Sequence, residues 1–495
     1  MSQIPVLVPA VLLLTALVSL LVGLKGQRAG HAVALAGAVA AFLLSAIGLR
    51  EVVSTGEALH YAMGGWMPPL GIAFVMDHLA AYMTTLITFL GVVVLIYAPR
   101  SFGHEIAGRE GFAWPTMVLL VAGLAGMCLT GDIFNLYVFL EISALSAYAL
   151  LAVGDRAAPV AVFRYLLVGA VAGGFYLIGV AFLYFTAGTL NMADLYARLP
   201  ELVENQAVVT ASVFIVLGLA LKMALFPFHF WLPDVYTNAP SAVAGLVAPV
   251  MTKVAAYAII RIFLDVFPPG FFTEVVPVAS TIGWMSAAGI LYGSILAVAQ
   301  QDLRRMLAYS SVSQVAYVGI GIGMANPVGL IGGLLHIMNH ALMKGCLFLV
   351  GGAIRYRTGR TRIADFAGLG RTMPWTMAAF TVGALAMIGI PPTAGFFSKW
   401  YLLLGALEAG NGWWFAVIVA SSLLTAVYFF RVVERIYREE PPEATDDGPE
   451  QGATDPPASM LGPILVLAAG VLVAGVMNVV IVRAVLEHIV APLGS

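Results

Sequence analysis

Apolar segments long enough to cross a lipid bilayer dominate this sequence of 495 residues. A membrane-spanning helix needs about 20 consecutive apolar residues, and we identify fourteen such segments. They cover residues 4–24, 30–50, 74–98, 112–130, 132–153, 163–188, 207–237, 241–264, 276–299, 303–324, 328–352, 375–407, 413–437 and 460–483. The segments predict an all-α polytopic membrane protein with about fourteen transmembrane helices.

The small charged fraction excludes the main soluble classes. Only 10% of the residues are charged, against about 25% in a soluble globular domain. The net charge of −2 leaves no basic surface for nucleic acid. Cys128 and Cys346 lie in apolar segments, so they predict neither a disulfide framework nor a metal site. No sequence motif for ATP, dinucleotide, haem or iron–sulfur binding is present, and we expect no cofactor.

Two of the long segments are interrupted, at Pro227 in the seventh and at 389–392 in the twelfth. Proline removes a backbone donor, and freed backbone groups at membrane depth must face protein or a water-filled cavity. Two ordinary proline kinks remain an open alternative. Broken helices at matching places in two halves are typical of a transporter site. Because the breaks lie five segments apart, we expect segments four to eight to recur, inverted, as segments nine to thirteen.

This repeat suggests a division of the chain into five parts. They are an N-terminal part of three helices (1–110), a first repeat (111–270), a second repeat (271–438), an acidic cytoplasmic loop (439–459) and a last helix (460–495).

The basic residues between segments indicate the orientation in the cell membrane. Connections after odd-numbered segments carry sixteen Lys and Arg, and those after even-numbered segments, with the C-terminal part, carry four. Because cytoplasmic loops are enriched in Lys and Arg, we expect the odd-numbered connections in the cytoplasm and both termini outside.

The lysines are distributed differently from the arginines. Of five lysines, four lie inside predicted spans, whereas all nineteen arginines are assigned to connections or span ends. The four are Lys222, Lys253, Lys344 and Lys399. A cation at mid-bilayer costs about 2.5–3.5 kcal/mol on insertion scales. Lysine can lose its proton when desolvated, and arginine cannot, so the lysines predict proton transfer. A structural role for some of them remains open.

Glu141 is the acidic counterpart, nine residues into the fifth span with no charged neighbour in sequence. A buried carboxylate must be protonated or paired, and we expect it to pair with a lysine of a neighbouring span. Such a pair acts as a switch, because an approaching carboxylate favours the charged lysine. A purely structural ion pair is the alternative.

The eleventh span carries His336, His340 and Lys344, whose steps of four place them on one helix face. All three can exchange protons near neutral pH once their surroundings perturb them, so we expect a proton path. The alternatives are a zinc site, which lacks a third ligand in sequence, and a hydrogen-bonded core pair of histidines. Residues that are possible members of an access path, or ordinary helix-end and interhelical groups, are His229, Asp234, Ser310 and Ser311.

Several stretches together resemble one family, the antiporter-like subunits shared by multisubunit Mrp cation/proton antiporters and the proton-pumping arm of respiratory complex I. The matching stretches begin at Gly131, Leu221, Ala239, Gln301, Leu335 and Gly389 and include all the buried charges above. The resemblance implies fourteen helices with inverted repeats, and it implies roles. Glu141 and Lys222 would form the ion pair of a first half-channel, with Lys253 as the link to the centre. His336, His340 and Lys344 would form the central path, and Lys399 the exit.

The length suits the Mrp D type within this family, and the lysine at 399 fits that type as well as certain complex I members. The partners would then be other membrane subunits, protons, and Na⁺ or another monovalent cation. The alternative is a non-redox subunit of complex I or of a membrane-bound hydrogenase. Two further hypotheses, a structural scaffold and a passive channel, fit the buried charges less well. Arg164 and Arg304 stand where relatives often have lysine, so no proton-path role is assigned to them.

Overall fold

A computed structural model describes residues 1–438 and 454–493 of the chain. The helices are α1 (Ile4–Gly23), α2 (Gln27–Thr55), α3 (His78–Glu105), α4 (Glu110–Leu129), α5 (Ile133–Ala152), α6 (Ala158–Ala187), α7 (Met192–Arg198), α8 (Gln206–Met223), α9 (Leu232–Asn238), α10 (Ser241–Asp265), α11 (Val278–Ala299), α12 (Leu303–Gly323), α13 (Pro327–Thr358), α14 (Leu369–Thr372), α15 (Pro374–Ile388), α16 (Ala394–Glu408), α17 (Gly412–Arg438), α18 (Ala458–Val476), α19 (Asn478–Ile481) and α20 (Glu487–Val490). Two strands, β1 (Leu59–Ala62) and β2 (Ala73–Met76), form an antiparallel hairpin.

The all-α membrane fold is confirmed. Within the described residues, twelve helices are long and apolar enough to cross a membrane, with α8 and α9 taken as one. The other two predicted spans are present as helices that fall outside this criterion. The tenth, α12, is a less apolar helix of 21 residues, and the twelfth is divided into α15 and α16. The total of fourteen spans, the inverted repeats and the five-part division of the chain stay predictions. Most of the acidic loop, residues 439–453, lies outside the described residues.

The two interruptions have similar local structures. Helix α8 ends at Met223, followed by Ala224 in the left-handed conformation (φ 59°), and a 3₁₀ turn at Phe228–Trp231 leads into α9. Helix α15 ends at Ile388, followed by Gly389 at φ 93°, where glycine is free of the Cβ clash. In both cases, prolines then prevent the helix from continuing.

The hairpin before α3 is a feature that hydropathy does not reveal. The third span was expected from residue 74, but residues 73–76 form β2 and the helix begins at His78 after Asp77. The Asp77 carboxylate accepts a hydrogen bond from the Ala80 amide and so caps α3. Strand β2 also contacts the α4–α5 turn, through the bond from the Gly131 amide to the Ala73 carbonyl.

Helices α10 and α13 form the centre of the molecule. In the most apolar 18-residue stretch of α10 every residue is buried, and in that of α13 the buried share is 94%. The corresponding share is 33% in each of α1, α2 and α17. Both central helices carry charged side chains, Lys253 on α10 and Lys344 on α13. Because the protein surrounds these helices, their polar groups are shielded from lipid, where a charge would be costly.

Ion pairs connect several helix ends at one side of the bundle. Asp155, in the α5–α6 connection, pairs with Arg304 at 3.2 Å and with Arg355 at 2.5 Å. Asp234 on α9 pairs with Arg305 at 3.4 Å and with Arg164 at 3.8 Å. The adjacent Arg304 and Arg305, at the start of α12, therefore bind one aspartate each.

Candidate functional site

Glu141 and Lys222 come together from α5 and α8. The Lys222 Nζ lies 3.7 Å from the Glu141 Oε1, within ion-pair distance but beyond a direct hydrogen bond. The lysine side chain is 6% exposed and the glutamate 29%. The two atoms have no hydrogen-bond partner among the described residues. The pair is therefore close enough for electrostatic coupling, and loose enough for the carboxylate to change position.

Two glycines of α6 leave the space that this pair occupies. A Cβ at Gly173 would lie 2.6 Å from the Glu141 Oε1, and a Cβ at Gly169 would overlap the Tyr148 hydroxyl and lie 3.5 Å from the Lys222 Nζ. A Cβ at Gly174 would meet nothing within 4 Å. The glycines at 169 and 173, one turn apart, thus form a recess for the ionic side chains.

Aromatic contacts lead from Lys222 toward α10. The lysine Nζ lies 6.0 Å from the centre of the Tyr148 ring, which packs edge-on against Tyr165. The Tyr165 hydroxyl is 3.5 Å from the Sδ of Met251, two residues before Lys253. Among the described residues, no hydrogen bond or ion pair joins Lys222 directly to Lys253.

His336, His340 and Lys344 lie along one buried face of α13, as predicted, and none of the three is exposed. The two imidazole rings stack with centres 5.7 Å apart. The His336 Nδ1 is 2.9 Å from the Ser398 Oγ. Neither ring nitrogen of His340 has a hydrogen-bond partner among the described residues. Buried polar atoms of this kind are satisfied by water in proteins, which fits a hydrated path.

A zinc ion would need further protein ligands beside these two histidines. No group of three or more His, Cys, Asp or Glu side chains within the described parts of the chain is arranged to hold a metal ion.

Lys399, on α16, lies beside the break of the twelfth span. Its Nζ donates to the Met387 carbonyl at 2.9 Å, to the Ile388 carbonyl at 3.0 Å and to the Ser422 hydroxyl at 3.1 Å. The last carbonyls of a helix have no intrahelical donor. The lysine therefore satisfies groups that the interruption of α15 leaves free.

Three of the buried lysines share one feature, which is that the bonds they make go to uncharged oxygen atoms. Lys253 donates to the Ala248 carbonyl at 2.6 Å. Lys344 donates to the Leu307 carbonyl at 2.6 Å and to the Ser310 hydroxyl. Among the buried lysines of the described chain, an ion pair with a carboxylate is found at Lys222 alone.

The four possible access residues have different surroundings. Ser310 contacts Lys344, whereas the Ser311 hydroxyl donates to the Leu307 carbonyl one turn earlier in its own helix. His229 is buried in the break of the seventh span, where its ring stacks on Phe226. Asp234 is bound by Arg164 and Arg305. Contact with the lysines is therefore shown for Ser310, and not for Ser311 or Asp234.

One assignment from the sequence is wrong. Arg261, counted with the connections, is a buried residue of α10 with 7% exposure. Its guanidinium binds the carboxylates of Asp77 at 2.5 Å and Asp265 at 2.6 Å. Two carboxylates and the Tyr257 hydroxyl compensate the buried charge, so this arginine can lie inside a span without exchanging a proton.

Neutral residues around the lysines, mainly Ser398, Ser422 and Tyr317, were not predicted from the sequence. The Lys399 Nζ lies 5.2 Å from the centre of the Tyr317 ring, and that ring packs against His336. Hydroxyl residues in apolar helices are a weak signal, because most of them bond to their own helix. Only the packing of α12, α16 and α17 distinguishes these residues from the others.

Comparison with known sequences identifies the family of this chain. Residues 130–425 match the family described as NADH:quinone oxidoreductase/Mrp antiporter, transmembrane. The chain is 47% identical over 498 residues to the NADH-quinone oxidoreductase subunit N of Desulforudis audaxviator, covering 98% of each chain. It is 35% identical over 372 residues to the D-type subunit of an Na⁺/H⁺ antiporter from Alkalihalophilus pseudofirmus, covering 74% of each.

Solved structures show the same fold over the full length. The Mrp complex from Dietzia sp. DQ12-45-1b contains a chain that matches with a TM-score of 0.87 at 28% identity, covering 99% of this chain and 97% of that one. The membrane-bound sulfane sulfur reductase, an archaeal respiratory complex, matches at 0.90 with 29% identity, covering 99% and 98%. The chain is thus an antiporter-like membrane subunit, and it belongs to the NADH:quinone oxidoreductase/Mrp antiporter transmembrane family.

Proposed function

We propose that this chain moves protons across the membrane as one subunit of a larger membrane complex. The path we propose comprises Glu141, Lys222, Lys253, His336, His340, Lys344 and Lys399. The observation that carries the proposal is that three buried lysines bond to neutral oxygen atoms rather than to carboxylates. A lysine held only to stabilise the fold would need a counter-ion, because an uncompensated buried charge is costly. A lysine that alternates between its neutral and charged forms does not.

The Glu141–Lys222 pair supplies a switch at one end of this path. While the carboxylate lies near the amine, it favours the protonated lysine. When the carboxylate moves away, the buried amine gives up its proton more readily, since burial disfavours the charged form. The 3.7 Å separation and the partial exposure of Glu141 support such a movement.

The central part of the path runs along α13. Imidazole can accept a proton on one nitrogen and release one from the other, and both nitrogens of His340 are without protein partners among the described residues. Lys344 and Lys399 lie on either side of the histidines, with Ser398 beside His336 and adjacent to Lys399 in sequence. Protons would pass between the two lysines through these groups and the water they bind.

Two kinds of complex fit this proton path. The 35% identity to an Na⁺/H⁺ antiporter subunit supports our first candidate, a multisubunit monovalent cation/proton antiporter. The 47% identity over the full length to subunit N of an NADH-quinone oxidoreductase supports the second, a redox-driven proton pump of the complex I type. In either complex this chain would carry no redox centre and would act with other membrane subunits in the cell membrane.

The orientation we propose is that both termini lie outside and the odd-numbered connections lie in the cytoplasm. The ion pairs of Asp155 and Asp234 support a common side for these connections. They join the connections after the fifth, seventh, ninth and eleventh spans.

The test uses everted membrane vesicles that contain the complete complex, with a pH-sensitive dye inside. We expect Glu141→Ala and Lys222→Ala each to abolish proton transport while the complex assembles at the normal level. Lys25, which lies exposed in the turn between α1 and α2, provides the matched control, and Lys25→Ala should transport normally. Normal transport by either Glu141→Ala or Lys222→Ala would refute the proposal.

The driving reaction is identified in the same vesicles. Proton movement after addition of Na⁺, with no reductant present, indicates the antiporter. Movement that requires electron transfer to a quinone or another acceptor indicates the redox-driven complex.

A further inference from the structure

The break of the twelfth span leaves two backbone carbonyls without partners in their own helix. In an α-helix each carbonyl accepts a hydrogen bond from the amide four residues later. Four positions after Met387 comes Pro391, and four positions after Ile388 comes Pro392. Because proline has no amide hydrogen, both carbonyls need a donor or a cation from outside α15.

Three oxygen atoms meet at the end of the Lys399 side chain. The Met387 carbonyl lies 2.9 Å and the Ile388 carbonyl 3.0 Å from the lysine Nζ. The Ser422 hydroxyl lies 3.1 Å from the same atom, and the centre of the Tyr317 ring 5.2 Å from it. The C-terminal end of a helix carries a partial negative charge, and the face of an aromatic ring attracts cations. One point in the protein is therefore surrounded by groups that hold a single positive charge.

This site differs from those of the other fully enclosed lysines. Among the described residues, Lys344 contacts two neutral oxygen atoms and Lys253 contacts one. Both of these lysines are enclosed by protein. The break beside Lys399 is more open, since Pro391 and Pro392 are exposed. It therefore provides an approach to the oxygen atoms that the other two lysines lack.

We propose that these three oxygen atoms bind a monovalent alkali-metal cation when the Lys399 amine withdraws from them. The proposal rests on the proposed function of this chain in transport, and it names the groups that would bind the second ion of a cation/proton antiporter. Unwound carbonyls and the C-terminal ends of broken helices coordinate Na⁺ in several transporter folds. The cation carries the same single positive charge as the ammonium group, so it satisfies the same oxygen atoms, and water supplies the remaining ligands.

The ammonium group and the cation exclude each other, because both occupy one point. The lysine side chain passes Gly389, where a Cβ would lie 3.1 Å from the Lys399 Cδ. The absence of a side chain at this position gives the stem of the lysine room to move past the break. Mutual exclusion couples the two positive charges, since each cation that enters displaces the charged end of Lys399.

The alternative is that Lys399 only satisfies the free carbonyls and never exchanges with an ion. The two roles differ in the effect of removing the amine. Binding of radiolabelled Na⁺ to the purified complete complex gives the apparent dissociation constant. Lys399→Ala removes the competing charge and should tighten Na⁺ binding by about tenfold, within the range that is typical of coupling between two ligands. Lys399→Arg keeps a charge beside the oxygen atoms, so Na⁺ should bind no more tightly than in the unmodified complex.

Ser422→Ala tests the set of ligands itself. In the Lys399→Ala background it removes one of three oxygen atoms and should weaken Na⁺ binding by about tenfold, because a bond to a charged group is lost. Ser421→Ala is the matched control, since the Ser421 hydroxyl is hydrogen-bonded to Ser294 at 2.8 Å. Choline, a cation too bulky for three converging oxygen atoms, should not compete with the labelled Na⁺.

Three results would each overturn the proposal. They are equal Na⁺ affinities of Lys399→Ala and Lys399→Arg, an equal loss in Ser422→Ala and Ser421→Ala, and competition by choline as strong as that by unlabelled Na⁺. If Lys399→Ala fails to assemble, the two serine variants are compared in the unmodified complex.

Proton transport is measured for the same variants in everted vesicles. Normal transport by both Lys399→Ala and Lys399→Arg would refute the proposed function of this lysine. Loss of transport in both variants, together with unchanged Na⁺ binding, would refute the cation site alone.

Discussion

The glycine at position 173 tests whether the position of the Glu141 carboxylate controls transport. In Gly173→Ala, the new Cβ would lie 2.6 Å from the Glu141 Oε1, against the 3.4 Å at which ordinary contact begins. The carboxylate must therefore retreat by about 0.8 Å, and the Tyr137 ring, 3.5 Å from the same Cβ position, restricts where it can go. Because the displaced atom is at the end of a flexible side chain, the fold should tolerate the substitution.

The expected loss follows from the geometry of the ion pair. If the whole displacement of about 0.8 Å lengthens the 3.7 Å separation, then at an effective dielectric constant of about 20 the attraction weakens by about 0.8 kcal/mol, a factor of about four. A misplacement of a reacting group by about 1 Å can lower the rate of a geometry-dependent reaction by about 100-fold. We therefore expect the transport rate to fall by a factor between about 4 and about 100.

Gly174→Ala is the matched control, since a Cβ at that position meets nothing within 4 Å. Alanine replaces glycine in the same helix in both variants, and each gains about 1 kcal/mol of helix propensity. The measurement is the initial rate of proton transport in everted vesicles per unit of assembled complex. Equal rates for the two variants would refute the argument that the recess at Gly173 positions Glu141.

Further predictions concern the last lysine, one ion-pair cluster and the topology. Lys399→Arg should lose transport, because the guanidinium keeps its proton. Lys399→His should retain some transport, with its pH optimum at a more acidic value. An active Arg variant would show that only a fixed charge is needed at this position. Asp155→Ala leaves Arg304 and Arg355 without their shared carboxylate and should lower the stability of the complex against heat by about 1–2 kcal/mol, after discounting for partial exposure. The comparison is Asp194, which pairs with the single exposed Arg198 one turn away in the same helix. Asp194→Ala should cost at most about 1 kcal/mol, and an equal effect of the two substitutions would contradict the assigned role of the cluster. A cysteine introduced near Ser495 should react with a membrane-impermeant reagent on intact cells, and a cysteine introduced near Gly448 should not. The reverse pattern would overturn the proposed orientation.

Family, fold class and the positions of the helix breaks could be predicted from the order of residues along the chain. These features depend on local properties, namely runs of apolar side chains, prolines that remove backbone donors, and the segregation of lysine from arginine. The breaks after Met223 and after Ile388 accordingly lie close to where the prolines predict them. The β-hairpin at 59–76 was missed because its strands have only four residues each, and the second runs into an apolar helix without a change in hydropathy.

Features that depend on which helices touch could not be predicted in this way. A count of basic residues treats Arg261 as a loop residue because it lies near the end of a segment. Only helix packing brings Asp77, 184 positions away in the sequence, to the Arg261 guanidinium. Partner choice is likewise a matter of packing. The sequence predicts that Glu141 meets a lysine, but four buried lysines are available. The packing of both α5 and α8 against α6, beside its glycines, selects Lys222. Serine, threonine and tyrosine in apolar helices bond to their own backbone by default. The bonds from Lys344 to Ser310 and from Lys399 to Ser422 therefore depend on how α12, α13, α16 and α17 pack together, which the sequence pattern does not reveal.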